Sequence, residues 1–217
     1  RPWPTGPVAV TVFPSLSPAG ERRQARLADA RLAAVAGTRP ATGDLGGWLA
    51  ALCEGSVDLL LLRDPTAPED VLRVAADVFR RVCDRYGALF VVDGLPGLAV
   101  QVGADGVHVG PVDAPPDHAR RVVGPDLLIG RTARRAATVD AAADEDVDFV
   151  AVGDGLIEYA AGRCPHVWFA PAGADLAAAT AALGRGAGRL LADGLGGVDD
   201  PRGACWALRR VLAAHPL

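Results

Sequence analysis

Eight times along this chain a short apolar run is followed by a segment whose apolar residues recur with helical period, and that alternation leaves few folds open. The runs fall at 32–36, 57–62, 89–92, 106–109, 127–130, 149–152, 167–170 and 189–192. The helical segments that follow them span 45–54, 68–86, 96–102, 116–123, 136–144, 156–161, 175–183 and 202–213. Pro68 and Pro116 stand where a first-turn proline is tolerated. Gly87, Gly103, Gly124 and Gly184 stand where a helix is expected to stop. Regular strand–helix alternation makes a parallel sheet. Runs such as the four leucines after Asp58 are apolar on both faces, as strands are when helices cover one side and packed side chains fill the other. The pattern therefore predicts an α/β chain folded as a (β/α)8 barrel over 21–217. An open doubly wound sheet is the rival, but no GxGxxG follows the first run, which weakens its nucleotide-binding version. Residues 1–20 hold five prolines and are expected to form a flexible arm, and 21–30 a short helix or a lead-in to the first strand.

A chain of 217 residues, 50% hydrophobic, has enough apolar material for one such domain. Aromatic residues are only 5%, so alanine, leucine and valine must fill the core, with Trp3, Trp48, Trp168 and Trp206 read as arm and core residues. The net charge is −4 with the acids dispersed, which argues against a nucleic-acid partner. No apolar run approaches the ~20 residues of a membrane span, and the proline-broken N-terminus does not read as a signal peptide, so a cytoplasmic location is expected. Cys53, Cys83, Cys164 and Cys205 lie far apart and form no CxxC, as expected of buried free thiols in a reducing compartment. All 22 basic residues are arginine. An arginine cannot be deprotonated to form a Schiff base, so lysine-dependent aldolase chemistry is excluded.

In a barrel of this kind the working residues stand at the C-terminal ends of the strands. Those positions hold Arg63 and Asp64, Asp93 and Gly94, Gly110 to Asp113, Arg131 to Arg134, Gly153 and Asp154, and Asp193 and Gly194. Asp93 and Asp113, from neighbouring strands, form a candidate pair for a hard divalent cation, since magnesium takes one or two carboxylates and completes its shell with water and phosphate. Arg63, Arg131 and Arg134 are candidates to face an anionic group on the ligand. His108 lies mid-strand and is expected to pack or to hydrogen-bond rather than to catalyse.

The central stretch resembles the thiamine phosphate synthase family. The resemblance rests on VDLLLLRD (57–64), YGALFVVD (86–93), GADGVHVG (103–110) with Asp113, GPDLLIGRT (124–132) and VDFVAVG (147–153). It implies a (β/α)8 barrel that joins a pyrimidine diphosphate to a thiazole phosphate with Mg²⁺, releasing pyrophosphate. It implies Asp93 and Asp113 as metal ligands and Arg63 as a pyrophosphate contact. It sets Thr132 where the family has a serine near the reacting centre, and Gly173 and Gly194 on the phosphate-facing side.

The chain departs from the family at several positions. The family's Gln-x-Arg-x-Lys is Leu61-Leu62-Arg63-Asp64-Pro65 here, and its Asn-Asp pair is Val92-Asp93. The segment between Gly153 and Val167 is short and lacks the family's Thr- and Lys-bearing loop. The Gly-Gly turn is Ala172-Gly173, and Asp193 stands where the family has serine or arginine. Three functions are compatible with this pattern. The first is a synthase with weakened phosphate handling. The second is a thiazole tautomerase using His108, Asp93 or Glu158 as acid or base. The third is a non-catalytic binding or scaffold barrel. A homo-oligomer is compatible with all three.

Overall fold

The computed structural model describes residues 16–38 and 43–216. Its strands are β1 (Leu32–Ala36), β2 (Leu59–Leu62), β3 (Leu89–Asp93), β4 (Gly106–Val109), β5 (Leu128–Ala133), β6 (Phe149–Val152), β7 (Val167–Pro171) and β8 (Leu190–Ala192). All pair in parallel and in order, and β8 returns to β1 through Leu32 opposite Leu190 and Ala34 opposite Ala192. The expected (β/α)8 barrel is therefore present, with a helix after every strand. These helices are α2 (Leu45–Glu54), α3 (Glu69–Tyr86), α4 (Pro96–Gln101), α5 (Pro116–Val123), α6 (Ala136–Ala141), α7 (Ile157–Arg163), α8 (Leu176–Gly184) and α9 (Pro201–Ala213).

Among the described residues one helix precedes the barrel, α1 (Pro18–Asp29), and it begins inside the segment read as an arm. The hydroxyl of Ser17 starts it by accepting from the Ala19 and Gly20 amides. The rest of that expected arm, 1–15, lies outside the described residues, as does Trp3. Smaller differences from the sequence reading have local causes. Pro68 is the N-cap of α3 rather than a first-turn residue, and Gly184 is the last residue of α8, with Arg185 as its cap. Trp48 and Trp168 are buried, but Trp206 is 55% exposed and lies beneath the guanidinium of Arg210. Cys53, Cys83 and Cys205 are buried free thiols, whereas Cys164 is only half-buried.

Two cores result from the alternation of side chains along each strand. Leu32, Ala34, Leu60, Leu62, Phe90 and Val92 face outward and meet the helices. Ala33, Val35, Leu59, Leu61, Leu89, Val91, Leu128, Phe149 and Phe169 fill the barrel itself. Leu27 and Ala30 of the α1 segment join that inner set, so α1 stoppers the N-terminal end of the barrel.

The N-terminal ends of the strands are held by a repeated device. An aspartate stands just before β2, β4 and β6 and accepts backbone amides of the preceding odd-numbered strand. Asp58 takes Arg31 and Leu32, Asp105 takes Phe90, and Asp148 takes Ile129. Each is also paired with arginine: Asp58 with Arg209, Asp105 with Arg23 and Arg80, and Asp148 with Arg120. No such aspartate precedes β8. There the guanidinium of Arg31 donates to the Gly188 carbonyl, and that of Arg189 to the Ala30 carbonyl.

Candidate active site

The same two-residue period decides which side chains reach the opposite, C-terminal mouth. Counting up from the buried inner set, it points Arg63, Asp93, His108, Thr132 and Asp193 toward the barrel axis. These five side chains, together with Arg134, line a small central cavity of about 90 Å³ whose remaining wall includes Val35, Leu61, Ala151 and Leu191. The mouth is thus polar over β2 to β5 and at the end of β8, and apolar elsewhere.

The polar side chains form one continuous chain. Thr132 Oγ1 lies 3.1 Å from His108 Nε2, and His108 Nδ1 lies 2.7 Å from Asp93 Oδ1. Arg63 Nε stands 3.3 Å from Asp93 Oδ2, and Arg63 Nη1 stands 3.8 Å from Asp193 Oδ2. His108 is 5% exposed and stacks on Phe149, with ring centroids 6.1 Å apart. The Phe149 ring is accommodated by Gly130, where a Cβ would lie 2.1 Å from the ring edge.

Asp113 approaches from the loop after β4. Its Oδ2 accepts from the Gly110 amide at 2.6 Å. A Cβ on Gly94 would be in ordinary contact with this carboxylate at 3.4 Å, but Gly94 has φ of +72°, and that backbone conformation is what favours glycine there. Asp93, Gly94 and Asp113 share a cleft of about 360 Å³ with Asp64. Asp64 is fixed by Thr38, whose hydroxyl donates at 2.6 Å, and by Thr66. The Thr38 hydrogen bond is the main cause that holds the Asp64 pKa down to about 2.

The donor set suits a hard divalent cation. Two carboxylates, one at the end of β3 and one in the loop after β4, share one cleft, and magnesium is commonly held by one or two carboxylates with water and phosphate as its other ligands. Among the described residues no cluster of three or more His, Cys, Asp or Glu has metal-binding geometry, so a protein-only cage is absent. Asp113 is the more open of the two, because both oxygens of Asp93 already face His108 and Arg63.

The other expected site residues divide by position. Arg134 follows β5, lines the mouth, and has no ion pair among the described residues. Arg131 differs, because it has the opposite strand parity. It points out of the barrel and pairs with Glu145, and burial pushes its pKa down. It walls a neighbouring cleft of about 470 Å³, which Asp113, Thr132 and Arg134 also line, and does not line the central cavity. The amide of Gly194 donates to Asp193 Oδ1, and Gly173 lies against the Asp193 carbonyl. Glu158 is exposed on α7 and does not line the mouth.

A larger cavity, of about 980 Å³, lies elsewhere, along the helix layer beside Gln24, Arg120, Glu145 and Asp148. Arg120 and Asp148 there pair with each other, and Glu145 pairs with Arg131.

The sequence profile of the thiamine monophosphate synthase family matches residues 32–157. The chain belongs to this family. A thiamine-phosphate synthase of Mycobacterium tuberculosis is 34% identical over 218 aligned residues, covering 88% of this chain and 98% of that protein. One from Thermobifida fusca is 35% identical over 213 residues, covering 89% and 97%. A solved structure of thiamine phosphate pyrophosphorylase from Pyrococcus furiosus superposes with a TM-score of 0.77, at 22% identity, over 88% of this chain and 98% of that one. At that identity the superposition speaks for the fold alone. In this family member His108 packs and hydrogen-bonds, as expected, and both it and Asp193 line the central cavity. Both have the inward parity of Asp93 and Thr132, which is a signal the sequence already contains.

Proposed function

We propose that this chain is a transferase of the thiamine phosphate synthase type, joining hydroxymethylpyrimidine diphosphate to thiazole phosphate. A bond forms from the thiazole nitrogen to the pyrimidine methylene carbon while the bond from that carbon to the diphosphate oxygen breaks, and pyrophosphate leaves. The observation that carries this reading is the unbroken Thr132–His108–Asp93–Arg63 chain at the mouth, with Asp113 beside it. Loss of pyrophosphate needs neutralisation of the charge that develops on the leaving oxygens. Asp93 and Asp113 would hold Mg²⁺, which supplies part of that neutralisation when bound. Arg134, with its guanidinium unpaired among the described residues, is the side chain best placed to add to it. Arg63 lies between Asp93 and Asp193, and both carboxylates draw on its charge.

Asp193 also favours a second reading. A carboxylate on Arg63 competes with any phosphate for that guanidinium, as expected of a barrel that binds without catalysing. Incubating the protein with both precursors and Mg²⁺ and following pyrophosphate release separates the two readings. Turnover that is lost in Asp93→Ala is the expected result. No product at high protein concentration would sink the synthase reading. Calorimetry with pyrophosphate and Mg²⁺ would then show whether an anion site survives.

A further inference from the structure

β5 ends at Ala133 and α6 begins at Ala136, so Arg134 and Arg135 make up the whole connection between them. Arg135 stands at the N-cap of α6, where an accepting side chain is favoured, and its side chain caps nothing. The start of the helix therefore gives no reason for arginine at this place. Both arginines are exposed, and both line the cleft of about 470 Å³ between the loops after β4 and β5. Arg131, Thr132 and Thr138 line it too. Asp113 is the one carboxylate in that wall, and its Oδ2 already accepts from the Gly110 amide. Glu145 takes up the charge of Arg131. That leaves two cations in the cleft, Arg134 and Arg135, without an ion pair among the described residues. Thr132 and Arg134 also line the central cavity, so the cleft adjoins the mouth.

We propose that this cleft is a second anion site, in which Arg134 and Arg135 bind a phosphate-type anion without a metal ion. A guanidinium presents planar pairs of N–H donors that match phosphate oxygens, and Thr138 adds a hydroxyl beside them. The cleft differs in kind from the place where Asp93 and Asp113 meet. There the protein supplies carboxylates, which attract a phosphate only through a cation that they hold. Here the protein supplies the positive charge itself. Pyrophosphate is the occupant we assign, because an anion released in the mouth beside Arg134 has this cleft as its neighbouring cationic surface. That choice of anion rests on the synthase reading, whereas the charge of the cleft does not. The cleft would hold the leaving anion after the bond to carbon has broken, with Arg135 as the residue that belongs to this site and not to the mouth.

Calorimetry with pyrophosphate in EDTA, where no divalent cation is free, tests the site without turnover. Binding is expected, retained in Asp93→Ala and weakened about tenfold in Arg135→Gln through loss of a charge-assisted contact. Arg135→Lys should recover part of that loss, since lysine keeps the charge but not the paired donors. Arg135 is exposed, so both variants are expected to fold. Orthophosphate, titrated in the same way, should bind at least about tenfold more weakly than pyrophosphate, having fewer oxygens to share between two guanidinium groups. Equal affinity for the two anions would overturn pyrophosphate as the occupant. No binding in EDTA, or an affinity unchanged in Arg135→Gln, would overturn the site. Binding that is lost in Asp93→Ala and kept in Arg135→Gln would put the anion in the mouth and overturn it as well. The synthase reading fails separately, by the absence of pyrophosphate release from the two precursors, and these titrations then decide the anion cleft on their own.

Discussion

The Thr38 hydroxyl contributes most to the acidity of Asp64, with Thr66 beside it. Its carboxylate takes the Thr38 hydroxyl at 2.6 Å and the Thr66 hydroxyl at 2.9 Å, and its pKa falls from 3.8 to about 2. A carboxyl whose folded pKa lies below its unfolded value stabilises the fold fully above the unfolded value. That contribution is lost as the pH drops through the folded one, here between about 4 and about 2. An NMR titration of the Asp64 carboxyl should therefore give a midpoint near 2, and Thr38→Val should move it up toward 3.8. A midpoint unchanged by that substitution would mean that Thr38 is not the cause. Residue-scale facts of this kind were only partly legible in the sequence. Asp93, Asp113 and Arg63 stand out because they follow apolar strands. Which of Arg131 and Arg134 serves the mouth depends on strand parity, and parity can be counted only once the strand's extent is known.

At the scale of elements, polarity misled where hydrogen bonding did not. The fifth apolar run stops at Gly130, yet β5 continues through Arg131 and Thr132 to Ala133 because β6 pairs with it residue by residue. β1, β4 and β6 were legible to the residue, and in β1 and β6 burial on both faces leaves no polar position to blur the ends. The role of α1 was not legible. Its start looks like part of a proline-rich arm, and only the barrel reveals that Leu27 fills the inner core. Leu27 is 1% exposed, so Leu27→Ala should cost about 2–5 kcal/mol of stability, read from urea unfolding. A loss below about 1 kcal/mol would mean that the stopper is loosely seated. The three aspartates before β2, β4 and β6 were given no role in the sequence reading, because the amides they accept belong to a neighbouring strand distant in sequence.

Across the whole molecule, the thiols report on integrity. Burial pushes the pKa of Cys53 and of Cys205 up to about 12 and that of Cys83 upward too, and all three are enclosed by the helix layer and the barrel. Cys164 is half-buried, and burial raises its pKa as well. With a disulfide reagent at pH 8, one thiol should react readily in the native protein and four after denaturation. Rapid modification of more than one native thiol would show that the helix layer opens without global unfolding. The seam between β8 and β1 has a different consequence. It joins the first and last strands of the barrel, and arginine side chains hold it where the other clamps use aspartate. During synthesis β1 therefore leaves the ribosome well before its second neighbour exists, and its open edge waits for β8. Nearly the whole chain must be made before that edge is covered, which exposes nascent protein to wrong pairing in a way the finished barrel never is.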